Sequence, residues 1–174
     1  MRILLAILAF LFVGPAFANN DLPRWAGPLQ PPLTLLSTAN ESGFAGSFTY
    51  VQSSVSGASG VFSPQLTGGA QYGDVIFTSG GAASSLVAGA VLPIWFNKYD
   101  GTNYEVCSSS LARPPDAVIA LPTSIASGIS YWSSGLHKTP IPGVNFKVCV
   151  YNGTGATLYS SGNTLTLISP ASAY

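Results

Sequence analysis

The chain has 174 residues, of which 7% are charged, and six basic side chains balance six acidic ones. That balance leaves no basic stripe of the kind a phosphate backbone requires, so nucleic acid is not an expected partner. The length suits one domain, and two cysteines and one histidine leave no set of ligands for a Cys/His metal centre.

Arg2, the apolar run from Ile3 to Val13, and Ala16-Phe17-Ala18 give the charge, core and small-x-small pattern of a secretory signal. A cleaved N-terminal signal helix over residues 1–18 is expected, and the run falls short of the roughly 20 residues that span a bilayer. No membrane span is expected once it is removed. Residues 19–36 carry Pro23, Pro28, Pro31 and Pro32, which remove ladder donors, so they read as a Pro-rich extended arm rather than a core strand. Trp25 and several leucines make this arm apolar, which suits packing on its own domain or on a neighbour.

Residues 37–174 read as a single β-sandwich domain. From Ser37 to Gly73 the chain is rich in Gly and Ser, with short β-prone islands at Phe48 to Gln52 and Gly60 to Phe62. Asp74 to Ser79 is a better strand, and Leu86 to Phe96 is an apolar run expected to be buried, interrupted by Pro93. Asp100-Gly101 between two β-prone runs predicts a hairpin that pairs Ile94–Lys98 with Asn103–Ser108. Arg113-Pro114-Pro115-Asp116 marks a turn before the strand Ala117 to Leu121, and Tyr131 and Trp132 sit on another short strand.

Phe146, Val148 and Val150 alternate with Lys147, Cys149 and Tyr151, a period of two that places three large apolar side chains on one face of a strand. The turn-forming run Asn152 to Gly155 and the β-prone Thr164 to Ile168 then suggest that this strand closes the domain as one arm of an antiparallel hairpin. Export favours a bridge between Cys107 and Cys149. Each cysteine lies on its strand's more polar side, which points to a bridge on the outer surface of a sheet or to a covering loop.

The stretch from Pro142 to Val148, with its aromatic-x-Val-x-Val strand and the Asn/Gly loop after it, resembles the penultimate strand of fibronectin type III and immunoglobulin-like modules. The resemblance implies an all-β, antiparallel two-layer sandwich used for adhesion, assembly or recognition, without catalytic residues to carry over.

The residues that could do chemistry are few. His137 reads as a solvated loop residue, and no G-x-S-x-G elbow accompanies the many serines. The acids are Asp21, Glu41, Asp74, Asp100, Glu105 and Asp116, of which Asp100 and Asp116 are accounted for by their turns. Trp25, Tyr131 and Trp132 are the candidate ligand-binding residues, since one of an adjacent aromatic pair on a strand must face outward. Asn40-Glu41-Ser42 and Asn152-Gly153-Thr154 fit the glycosylation pattern. The expectation is a secreted, periplasmic or surface-exposed structural or interaction module. It works by contact with protein subunits or glycans, without cofactor or metal, on a cell or in a virion. A carbohydrate-binding module or a pilus-like subunit is the alternative.

Overall fold

The computed structural model describes residues 31–39, 41–53, 60–68, 70–133 and 139–169. The signal stretch, most of the arm with Trp25, Asn40 and His137 lie outside them. The strands are β1 (Leu33–Ser37), β2 (Tyr50–Gln52), β3 (Tyr72–Thr78), β4 (Val91–Lys98), β5 (Ala117–Ala120), β6 (Ser130–Trp132), β7 (Thr139–Pro140), β8 (Phe146–Tyr151) and β9 (Thr164–Ile168). Short 3-10 turns at Ser42–Ala45 and Pro64–Thr67 are the helical elements among the described residues.

Two antiparallel sheets pack face to face. One has the order β1-β9-β3-β6, with β7 also pairing β3, and the other has the order β2-β8-β4-β5. Alternation within each strand sends one set of side chains between the layers. Val75, Phe77, Leu165 and Leu167 come from the first sheet, and Leu92, Ile94, Phe96, Ile119, Phe146, Val148 and Val150 from the second, all of them buried in one cluster. Rings fill the core: Phe44 meets Phe77 of the first sheet edge-on at 6.1 Å, and on the second sheet Phe146 contacts both Phe62 and Phe96 at 5.5 and 5.1 Å.

The strand expected to be absent from the Pro-rich segment is present. Leu33–Ser37 pairs with β9, so the sandwich begins inside what read as the arm. A register shift between Thr34 and Leu36 lets the adjacent Leu35 and Leu36 both be fully buried, which strict alternation forbids. Burial of two leucines outweighs the turn character that Pro31 and Pro32 give the entry.

The predicted C-terminal hairpin is also corrected, because β8 and β9 lie in different sheets. The link between them forms hydrogen bonds with residues 38, 44–49 and 80–91 instead of pairing the two strands as a hairpin. Gly153 N–H donates to the Val91 carbonyl, Leu158 N–H to Ala45, Tyr159 N–H to Gly81, and the Thr157 carbonyl accepts from Ala83 N–H. Asn152 fixes the departure: its Nδ2 donates to the Phe44 carbonyl, and its Oδ1 accepts from Thr154 N–H and Oγ1.

The run Leu86 to Phe96, expected to be buried, is buried only in part. Leu86 and Ala90 are buried, residues 87–89 form an exposed turn with Gly89 at φ +75°, and the strand starts at Val91. Pro93 pairs with Val118 of β5 and falls, on the β8 side, in the gap between the Val91–Gly153 bridge and the ladder that begins at Ile94.

Candidate functional site

The second sheet is covered on its outer side, and the cover builds the site. A turn forms where the sequence predicts one, but shifted by one residue: Gly101 takes φ +103° while Asp100 does not adopt a positive φ, Asp100 N–H donates to the Asn103 carbonyl, and Asp100 Oδ1 accepts the Thr102 and Asn103 N–H groups at 2.7 Å each. These hydrogen bonds, Asn103 first and Thr102 next, hold the Asp100 carboxyl below its ordinary range. The returning strand does not form, however. After a bridge between Tyr99 and Tyr104 and one bond from Glu105 N–H to the Lys98 carbonyl, the chain leaves β4 and crosses the sheet's outer face. We call residues 99–116 the overlay.

Three kinds of tie hold the overlay down. The first is the disulfide Cys107–Cys149, with Cα atoms 5.5 Å apart, which joins it to β8. Cys149 lies on the face away from the core, as its strand parity predicts, yet it is fully buried because the overlay sits on it. The second is Arg113, whose Nη1 donates to Asp116 Oδ2 at 2.8 Å and whose Nη2 donates to Glu105 Oε2 at 2.8 Å and the Phe96 carbonyl at 2.9 Å. Burial acts to lower the Arg113 pKa, but its bonds to Glu105 and Asp116 outweigh this, leaving it above the ordinary arginine value. The third is a set of bonds from strand to overlay: Trp95 Nε1 donates to the Arg113 carbonyl, Asn97 Nδ2 to the Glu105 carbonyl, and Phe96 N–H to Asp116 Oδ2.

Between the overlay and strands β2 and β8 runs an open groove of about 550 Å³, lined by Tyr50, Gln52, Asn103, Tyr104, Glu105, Val106, Cys107 and Lys147. Register explains the grouping. Tyr50 lies opposite Tyr151 and Gln52 opposite Cys149, so Tyr50, Gln52, Lys147, Cys149 and Tyr151 share the outer face. Tyr50 packs against the Tyr151 and Trp95 rings at 4.7 and 6.1 Å. Across the groove Tyr104 packs on Tyr99 at 4.9 Å, and Lys147 Nζ lies 5.0 Å from the centre of the Tyr104 ring.

Of the aromatic residues singled out by sequence, Tyr131 is half-buried and stacks on Phe77 at 6.3 Å, while Trp132 is 55% exposed on the outer side of β6. One of the pair does face outward. They belong to the first sheet and do not join the groove; Trp25 and His137 lie outside the described residues. Asn152 is fully buried with its amide engaged, so that glycosylation candidate is withdrawn. Among the described residues no group of three or more His, Cys, Asp or Glu side chains could hold a metal ion, and no helix is long and apolar enough to cross a membrane.

The groove residues Tyr50, Gln52 and Lys147 carry no local sequence signal. What could have found them is the combination of a Cys107–Cys149 bridge with Lys147 lying two residues from Cys149 on the same strand face. That pairing brings residues 103–107 over this part of the sheet. Comparison with family models, curated proteins and solved structures returns no match for this chain.

Proposed function

We propose that this protein is an exported, non-enzymatic interaction module that meets its partner through the overlay and the adjoining groove. The observation that carries the reading is the fixing of the overlay by a disulfide, a bidentate arginine and three strand-to-overlay bonds, which prepares a surface before any partner arrives. Pre-formed geometry lowers the ordering cost of association. Export suits the bridge, since disulfides persist in oxidising compartments. Glu105 is the acid that lines the groove, and Arg113 binds it together with Asp116. This suits a brace better than the acid and base pair of a glycosidase, whose acid must hold a proton.

The test is to present the exported protein and a Val106→Arg variant to the surface of the producing cell and to candidate ligands, while following those ligands for turnover. Val106 is 66% exposed on the overlay, so the variant should fold normally and lose contact. Undiminished binding by V106R, or consumption of a ligand that Glu105→Gln abolishes, overturns the reading.

A second reading, a subunit of an extracellular or virion assembly, is favoured by Trp132, 55% exposed on strand β6 at one end of its sheet. A chain with 7% charged residues also has little repulsion to keep copies apart. Light scattering after size-exclusion chromatography should then show association that Trp132→Ser removes; a monomer at high concentration counts against it.

A further inference from the structure

We propose that the groove beside the overlay binds a sugar ring bearing a carboxylate, as a uronate or sialate unit of a glycan; this rests on the interaction-module reading above and names its ligand. The groove is about 550 Å³, within the roughly 300–1,000 Å³ of small-ligand sites. Its chemistry is mixed, which argues against a lipid or a purely apolar guest.

Two tyrosine rings line it, Tyr50 from β2, packed beside Tyr151 and Trp95, and Tyr104 from the overlay, packed on Tyr99 and covered by the Lys147 ammonium that a ligand would draw away. A pyranose presents C–H groups on its faces and hydroxyls round its rim, so flat aromatic walls suit the one and polar side chains the other. Gln52 and Asn103 supply those polar groups. A side-chain amide both donates and accepts, as a sugar hydroxyl does, and neither amide is engaged by another described residue.

The charge decides the class of sugar. Two charged side chains line the groove, Glu105 and Lys147, and they are not equivalent. Both oxygens of Glu105 accept from Arg113, and Oε2 also accepts from Lys98 N–H at 3.3 Å. Among the described residues Lys147 forms no ion pair, and its ammonium rests over the Tyr104 ring. The uncommitted charge is therefore a single cation. A single cation is met by one carboxylate, whereas a polyphosphate calls for several cations or a backbone cradle. Because Lys147 projects from β8 beside the disulfide-linked Cys149, its stem is anchored on a rigid strand while the ammonium can move from the ring to the ligand.

The experiment is a titration of the exported full chain, followed by ligand-observed NMR, with trigalacturonate and sialyllactose as acidic probes and maltotriose and lactose as neutral ones. At least one acidic probe should bind at least tenfold more tightly than its neutral counterpart, and raising the salt should narrow the gap. Lys147→Met, which keeps the stem and removes the charge, should bring acidic probes to the neutral level with the melting temperature unchanged. Gln52→Ala should weaken both classes. Equal binding of acidic and neutral probes, or full discrimination in K147M, overturns the carboxylate assignment. Absence of binding to every probe overturns the sugar assignment; if V106R still loses contact with the cell surface, the interaction reading stands without it.

Discussion

Trp95 lies directly opposite Cys149 in the β4–β8 ladder, and both are buried although they point away from the core between the sheets. A residue on the outside of a two-layer sandwich is ordinarily wetted. Here the overlay makes a thin third layer, and the stability of that layer can be measured.

The bridge closes a separation of 42 residues. In the chain-entropy model this is worth about 4 kcal/mol. The double variant Cys107→Ser with Cys149→Ser should therefore lose up to about 4 kcal/mol in urea unfolding, with the core strands retained. A midpoint equal to that of the bridged protein would show that the overlay is held by its other ties alone.

Arg113 connects Glu105, Asp116 and the Phe96 carbonyl, with the three charged side chains partly exposed, at 28%, 38% and 18%. Arg113→Met leaves two carboxylates without their shared partner. Solvent reaches them, so the loss should be about 1–3 kcal/mol rather than the larger cost of a fully buried pair. Arg113→Lys should recover only part of it, because an ammonium cannot reproduce the two-pronged contact. Equilibrium denaturation of both variants gives the comparison.

Asp100 links the turn to pH. Its carboxyl is held below the usual range by N–H donors that favour the charged form, so its unfolded pKa lies above its folded one. The stabilisation is therefore present above the unfolded value, about 3.9, and fades as pH falls through the folded value. Asp100→Asn keeps an oxygen acceptor without a titrating group. Its stability should change less between pH 5 and 2 than that of the wild type, as read from thermal melts across that interval; parallel pH profiles would contradict the assignment.

Phe48 holds φ +55° while 60% exposed, and its N–H donates to the Asn152 carbonyl. A left-handed backbone costs a residue with a large side chain about 1–2 kcal/mol, and little burial offsets that here. Phe48→Asn should raise stability by about 0.5–1 kcal/mol, since asparagine visits this region more readily. A fall in the melting temperature would mean that the ring contributes contacts its exposure hides.

Local patterns determined much of this protein. The period of two in Phe146–Tyr151 put Val148 in the core and Cys149 on the opposite face, and Asp100-Gly101 marked a turn in which Gly101 takes a positive φ and the Asp100 carboxylate accepts two N–H groups. Such features depend on neighbours within a few residues, so they are written in consecutive letters. Which strands would pair was not. β8 and β9 are joined in sequence yet belong to different sheets, and the link between them bonds to residues 38, 44–49 and 80–91, which are distant in the chain. The groove, likewise, exists only where Tyr50, Tyr104 and Lys147 converge from positions far apart in the chain. Long-range register depends on which pairing buries the most apolar surface at once, a property of the whole fold that no short stretch contains.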